Sequence, residues 1–269
     1  MRCLVAALAL AFFAGCAAIP GERGATVALA DFATLAADER VRYEPGAEPY
    51  AVRVAALLPA AVAQVEAGHY RAFPQPVVVY VCGTTACFEE KVPGAGRYTA
   101  AVIYDNRLLL APRLFDREPA RLYPVLVHEL SHLHLGQQLG HYTLRIPVWF
   151  HEGLASLVAA SGGADLVTEE DARRAIAAGE HFLPEAAHDE TRRAYAEQWR
   201  LKIAMFYRQS MMFLAHLKAD SEERYREFLD ALQRRASFDE AFAGAFGAGA
   251  LELAQQFFAG FTAQPAGAP

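Results

Sequence analysis

The first half of the chain combines one helical and several extended hydrophobic patterns. Apolar residues recur every three or four positions from Tyr50 to Gly68, which predicts an amphipathic helix. The β-branched run Pro76–Val81 has the length and composition of a strand. Ala101–Tyr104 and Leu108–Leu110 flank the dipeptide Asp105–Asn106, a pattern typical of two strands joined by a tight turn. We therefore expect a small β-sheet in this half of the chain.

The second half is predicted to be mainly helical, because its apolar positions follow the helical period. The candidate helices are Leu154–Ala160, Thr168–Ala178, Thr191–Lys218, Glu222–Arg235 and Leu251–Phe258. Together the patterns predict an α+β fold, in which a small mixed sheet is followed by a mainly α-helical C-terminal lobe.

A chain of 269 residues with 54% hydrophobic residues can bury one sizeable core. We assign that domain to residues 49–262, with a sheet-containing part at 49–160 and a helical lobe at 161–262. Residues 16–48 are rich in alanine and glycine and are expected to form a tether, and residues 263–269 a disordered tail. The formal net charge of -6 is mild and argues against a nucleic-acid partner.

The N-terminus has the pattern of a targeting segment. Arg2 precedes the apolar run Leu4–Phe13, and small residues lead up to Cys16. This arrangement resembles a bacterial lipoprotein signal peptide of residues 1–15, after which Cys16 would carry the lipid. The protein would then be anchored in the cell envelope and face the periplasm, and Ala17 favours the outer membrane. The alternative, an ordinary cleaved secretory signal, also places the domain outside the cytoplasm.

Two further cysteines, Cys82 and Cys87, are separated by four residues. In an oxidising periplasm they would close a small disulfide loop. A reduced pair and a pair of metal ligands are the alternatives, although two thiols without matching partners make a poor zinc site.

The strongest chemical signal is an H-E-x-x-H run that contains His128, Glu129 and His132. Residues four apart share one face of a helix, so both imidazoles can bind one metal ion. Glu129 can reach a water on that ion without binding the ion itself. The helix is expected to begin after Tyr123, with Pro124 in its first turn.

Glu152 supplies a third candidate ligand from a second helix, which is predicted to begin near Pro147. The buried side of that helix would consist of Trp149, Leu154, Leu157 and Val158. A carboxylate in such an apolar setting needs a partner, and a zinc ion bound by His128, His132 and Glu152 provides one. The fourth position would stay open, as a catalytic zinc requires. The alternative is a solvent-facing glutamate stabilised by the helix dipole.

These residues resemble the zinc motifs of gluzincin metallopeptidases, the peptidase MA-like group related to the thermolysin and aminopeptidase catalytic domains. The matching segments are the H-E-x-x-H run and Pro147–Ala155, whose pattern is P-x-W-x-x-E-G-L-A. The resemblance implies a zincin-like fold, one zinc ion per chain and hydrolysis of a peptide or protein substrate by metal-activated water. Glu129 would be the general base.

The resemblance extends towards the C-terminus. Tyr207–Ser210 resembles the helix that carries an active-site tyrosine in this superfamily, so Tyr207 would donate a hydrogen bond to the oxyanion. Ser237–Phe242 resembles the closing helical segment of the family. In the family an edge strand pairs with extended substrates, and residues 106–110 or their hairpin partner would have that role. The alternatives are a core position for Tyr207 and a purely structural hairpin.

The chain also departs from the related families. Ser156 stands one turn after Glu152, where an acidic residue is frequent, so the group that orients the histidines is not identified. Residues 94–100 lack the glutamate that holds a free amine in the aminopeptidases, which favours an endopeptidase. His134 and His151 point to other faces of their helices and are not expected to bind the metal.

Two other functions are compatible with the same residues. One is a zinc-containing lipoprotein that binds peptides or partners without cleaving them. The other is a hydrolase that acts on a non-peptide amide.

Overall fold

The computed structural model of the protein describes residues 29–95, 99–104, 106–185 and 195–262, and within them the chain is a mixture of strands and helices. The strands are β1 (Ala33–Thr34), β2 (Val41–Tyr43), β3 (Val79–Val81), β4 (Ala101–Tyr104) and β5 (Arg107–Leu110). The helices are α1 (Glu48–His69), α2 (Thr85–Lys91), α3 (Arg113–Asp116), α4 (Leu122–Leu139), α5 (Val148–Val158), α6 (Glu169–Ala177), α7 (Ile203–Asp220), α8 (Glu222–Gln233), α9 (Phe238–Phe246) and α10 (Ala250–Thr262). Short 3₁₀ segments cover Pro119–Arg121, Gly140–Arg145 and Ala196–Trp199. The predicted α+β class is confirmed.

The strands form one mixed sheet in the order β1-β2-β3-β5-β4. The strands β2, β3 and β5 are parallel, and Val79 lies opposite Val41 on one side and opposite Leu108 on the other. The strands β1 and β4 are antiparallel to their neighbours and form the two edges of the sheet. The predicted hairpin is present, and its first strand, β4, is the one at the edge.

Different helices cover the two faces of the sheet. Val79, Val81 and Leu108 belong to the main hydrophobic core, which also contains α1 and α4. Tyr80 and Leu109 point to the opposite face and pack in a smaller cluster with residues of α2. This layering places α4 against the sheet, and the C-terminal helices lie on the side of α4 and α5 away from it.

The helix α1 has the composition of a core helix. Of the described residues, Glu48–His69 is also the one helix long and apolar enough to cross a membrane by length and composition alone. Its residues Val54, Leu58, Ala61 and Val65 recur at helical spacing and are fully buried in the main core. One face of this helix therefore packs in the main core.

The expectation that residues 16–48 form a tether is wrong for the part that the structure describes. The strands β1 and β2 extend the sheet, and Leu35 and Val41 are buried in the main core. The Glu44 carboxylate accepts hydrogen bonds from the backbone N–H groups of Gly83 and Thr84, at 2.7 and 2.8 Å. The folded domain therefore includes residues 29–48, which the sequence did not show because two- and three-residue strands carry too little alternation.

Several element boundaries differ from the predictions. The strand predicted at Pro76–Val81 is confined to β3, its last three residues. Within the described part of Thr191–Lys218 the chain is not one helix, because a 3₁₀ turn covers Ala196–Trp199 and α7 begins only at Ile203.

The short helix α2 was not predicted. It begins after Thr84, whose side-chain oxygen accepts a hydrogen bond from the backbone N–H of Cys87 at 3.0 Å. Cys82 and Cys87 form a disulfide that joins the residue after β3 to this helix. The signal peptide, Cys16 and the tail of residues 263–269 lie outside the described residues and stay predictions.

We expect Leu35→Ala to lower the free energy of unfolding by about 2–5 kcal/mol, because it leaves a cavity in the main core. Urea unfolding followed by circular dichroism measures this change. The matched control is Leu166→Ala, since Leu166 is 71% exposed and its truncation should change stability by at most about 0.5 kcal/mol. Equal effects of the two variants would contradict the inclusion of this segment in the core.

Candidate metal centre

The two histidines of the H-E-x-x-H run lie on one face of α4, which is buried on almost all sides. Pro124 occupies its first turn, where the missing N–H costs no intrahelical hydrogen bond. Glu152 lies in the second turn of α5, and α5 packs against α4. Two neighbouring helices thus bring together the three candidate ligands His128, His132 and Glu152.

Three donor atoms of these residues form a nearly equilateral triangle. The Nε2 atoms of His128 and His132 are 3.0 Å apart. Glu152 Oε2 lies 3.3 Å from each of them. A tetrahedral ion that binds nitrogen and oxygen at 2.0–2.1 Å separates its ligand atoms by about 3.3 Å. The triangle therefore has the dimensions of one face of such a coordination site.

The burial of the carboxylate also points to a metal ion. Glu152 is only 6% exposed, and its Oε2 atom is buried without a hydrogen bond of acceptable geometry from the described residues. A buried carboxylate oxygen in this condition is costly unless a cation satisfies it. These residues fit a metal ion whose chemical identity the structure does not specify.

The charges of the three ligands are coupled. Burial alone would raise the pKa of Glu152, but the electrostatic attraction to His132 and the proximity of His128 hold it well below its usual range. Burial alone would lower the pKa of His128, but Glu152, with a contribution from Glu129, raises it above its usual value. The carboxylate is therefore ionised at neutral pH, as a metal ligand must be.

A backbone carbonyl orients His128. The Nδ1 atom of His128 lies 2.9 Å from the Gly162 oxygen, so the ring donates its Nδ1–H there and its Nε2 faces Glu152. Gly163 follows with φ +83°, and a Cβ atom at this position would lie 2.6 Å from Cε1 of the His128 ring. The loop of residues 159–167 after α5 therefore packs directly on this ligand.

The oriented histidine could not be assigned a partner from the sequence, because backbone carbonyls carry no residue signature. The one sign of this loop in the sequence was the run Ser161-Gly162-Gly163 just after α5, whose glycines are typical of a turn. Ser156 does not orient a candidate ligand, since its buried hydroxyl has no hydrogen-bond partner among the described residues. Its backbone carbonyl instead accepts a hydrogen bond from Ser161 N at 2.9 Å and so begins the loop.

The other histidines near the site support the ligands without joining them. The ring of His151 stacks on His132, with centroids 4.2 Å apart and planes at 6°. His134 faces away and donates from Nε2 to the Arg71 carbonyl at 2.9 Å. His69 Nε2 lies 2.8 Å from Ser131 Oγ, and burial followed by repulsion from neighbouring histidines lowers its pKa well below normal. Burial lowers the pKa of His134 as well, so both His69 and His134 favour their neutral forms.

The candidate base and the candidate oxyanion donor are both close to the ligands. Glu129 is buried on α4, near enough for its charge to raise the pKa of His128. The ring of Tyr207 on α7 lies 6.0 Å from the His128 ring, with the planes at 20°. Helix α7 approaches because Gly153 has no side chain: a Cβ there would lie 2.9 Å from the Ser210 backbone. The resemblance-based choice of Tyr207 therefore falls on a residue beside the site.

A cavity lies between the edge of the sheet and the C-terminal half of α4. Its volume is about 380 Å³, and Ile103, Leu133 and Gln137 are among its lining residues. None of the three candidate ligands lines this cavity, although Leu133 follows His132 directly on α4. Edge strand β4 thus borders open space beside the C-terminal half of α4.

Comparisons of the chain with protein-family models, with curated protein sequences and with solved structures gave no match. The function is therefore inferred from the residues and the geometry of this chain.

We expect Gly163→Ala to weaken zinc binding by at least about tenfold, because the new methyl group would push His128 away from the Gly162 carbonyl. Competition with a chromogenic chelator measures the affinity. Gly179→Ala is the matched control, since Gly179 also has positive φ (+80°) but a Cβ there meets nothing within 4 Å. A loss of affinity in both variants would show that backbone strain, not contact with the ring, is responsible.

Proposed function

We propose that the protein is a zinc-dependent peptidase of the bacterial cell envelope, with the gluzincin ligand set His128, His132 and Glu152. The observation that carries the proposal is the triangle of two imidazole nitrogens and one carboxylate oxygen with tetrahedral spacing. Two histidines and one glutamate are a known ligand set of catalytic zinc, whereas structural zinc sites are closed by four protein ligands. Among the described residues no fourth ligand joins this group, which supports an open coordination position.

When bound, zinc supplies Lewis acidity, which activates a water molecule and polarises the scissile carbonyl. Glu129 accepts the proton of that water as general base and passes it to the leaving amine. Its burial beside the ligands keeps bulk water away from this proton transfer. The Tyr207 hydroxyl donates a hydrogen bond to the oxygen that becomes negatively charged.

An extended substrate would bind along β4. This strand pairs with β5 on one side only, so its other side can accept a peptide by strand addition. The adjoining cavity next to α4 would accept a substrate side chain. A site between a strand edge and a helix suits an internal segment of a peptide, in line with the expected endopeptidase. The lipoprotein-like N-terminus supports a location in the envelope.

A matched pair of isosteric substitutions separates the two glutamate roles. Glu129→Gln should retain zinc but lower kcat by about 10²–10⁴-fold, because the amide cannot accept the proton. Glu152→Gln should instead lose zinc affinity, because it removes the anionic ligand. Metal analysis and mass-spectrometric cleavage of a broad peptide library, with and without a chelator, measure both outcomes.

A purified protein that binds no added zinc would contradict the proposal altogether. Loss of zinc in Glu129→Gln would contradict the role of Glu129 as a base. Zinc and peptide binding without cleavage of any library member would favour the non-cleaving lipoprotein. Cleavage confined to non-peptide amides would favour the other hydrolase.

Tyr207→Phe should lower kcat by about 10²–10³-fold with little change in zinc affinity, because it removes one donor to the oxyanion. Tyr225→Phe is the matched control, since Tyr225 is a buried tyrosine on α8 whose hydroxyl has no hydrogen-bond partner in the described part of the chain. Steady-state kinetics on a peptide cleaved by the wild type decide the point. An unchanged kcat in Tyr207→Phe would make this residue a core position only.

A further inference from the structure

Arg208 is an unusually buried arginine. It follows Tyr207 on α7 and is only 8% exposed. Its Nη1 donates to Ser161 Oγ at 3.1 Å and its Nη2 to the Ala164 carbonyl at 2.9 Å. Its Nε is buried without a partner. Both of its hydrogen bonds therefore go to the loop of residues 159–167, the loop that orients His128.

The guanidinium has no direct counter-ion. No carboxylate among the described residues lies within ion-pair distance of Arg208, and burial lowers its pKa although Glu169 and Asp165 attract it from farther away. Burying a cation without a paired charge is unfavourable, and a hydrophobic residue of similar volume would avoid this cost. Stabilisation of the fold alone thus gives no reason for an arginine at this position.

The loop that Arg208 binds is strained. Ala160 and Ser161 have positive φ values of +49° and +92°, and Gly163 follows at +83°. Non-glycine residues in this region raise the free energy and persist only where their surroundings hold them. At the other end of the loop, Asp165 Oδ2 accepts a hydrogen bond from Arg121 Nε at 2.7 Å. The loop is therefore fixed to α7 by Arg208 and to the start of α4 by Arg121.

The two contacts of Arg208 lie on either side of the Gly162 carbonyl, which orients the candidate ligand His128. Ser161 precedes Gly162 in the chain, and Ala164 comes two residues after it. The Gly162 oxygen accepts the Nδ1–H of His128 and so leaves the Nε2 of His128 free to bind a metal. A shift of this turn would remove the acceptor and release the alternative tautomer, which has its proton on Nε2.

We propose that Arg208 is a positioning residue that holds the strained turn of Ser161–Ala164, so that the Gly162 carbonyl fixes the metal-binding tautomer of His128. An arginine suits this role because its planar guanidinium donates in two directions at fixed spacing, which a lysine ammonium does not do. Its consequence for zinc affinity rests on the proposed function, whereas its consequence for the His128 tautomer holds in the metal-free protein.

The test compares Arg208→Met and Arg208→Lys with the wild type. Long-range ¹H–¹⁵N NMR spectra of metal-free protein labelled at histidine, recorded where imidazoles are neutral, distinguish the Nδ1–H and Nε2–H tautomers. The signals of His128 are assigned with His128→Gln. We expect the Nδ1–H tautomer in the wild type and a mixture in Arg208→Met, with Arg208→Lys in between. Zinc affinity, measured by competition, should fall by about tenfold or more in Arg208→Met.

A matched control is Arg224→Met. It removes an exposed arginine of α8 whose side chain pairs with Asp220, four residues earlier, at 3.0 Å. Neither the tautomer nor the zinc affinity should change in that variant. Should Arg208→Met fail to fold, Ser161→Ala removes one of the two contacts and keeps the arginine. We then expect a smaller shift of the His128 tautomer in the same direction.

Arg208→Met with a native unfolding temperature and an unchanged His128 tautomer would overturn the proposal, as would an unchanged tautomer in Ser161→Ala where only that variant folds. A wild type that shows the Nδ1–H tautomer but binds no zinc would contradict the proposed function and leave the NMR comparison to decide on Arg208. The two ideas can therefore fail separately.

Discussion

The arrangement of the helices around the candidate metal centre depends on one constraint: a carboxylate and two imidazoles are held together in a buried interior. Such groups are stable there only when each nitrogen and oxygen has a partner. The donor triangle of His128, His132 and Glu152 meets this condition if a cation completes it. Because the triangle spans α4 and α5, the packing of these two helices also determines the spacing of the candidate ligands.

The surroundings of the triangle consist largely of backbone and aromatic rings. The Gly162 carbonyl accepts the Nδ1–H of His128, a role that a carboxylate has in many zinc sites, and His151 stacks on His132. This choice adds no further negative charge next to Glu152. The orientation of His128 then depends on the loop after α5. Contacts from α4 and α7 must maintain the positive φ angles of that loop. Orientation of a ligand is thereby linked to tertiary packing.

The sequence patterns predicted the helices and strands that local interactions determine. The H-E-x-x-H helix, the helix with Glu152 and the hairpin of β4 and β5 follow from periodicity and turn residues, and the structure contains all of them. The short strands β1 and β2 were missed because parallel pairing with β3 is a long-range interaction. The role of Gly162 was missed because any residue has a carbonyl. The contacts of Arg208 could not be predicted because its partners are separated from it by more than forty residues.

The first strands of the sheet also set how far the domain can stand from a membrane. If Cys16 carries a lipid, as the sequence predicts, only residues 17–28 separate the anchor from the described domain. A fully extended chain of that length reaches about 45 Å, whereas a tether up to residue 48 would have reached about 115 Å. On the proposed function, the candidate metal centre would then act within a thin layer above the bilayer, and the distance of a substrate from the membrane would limit its cleavage as much as its sequence does.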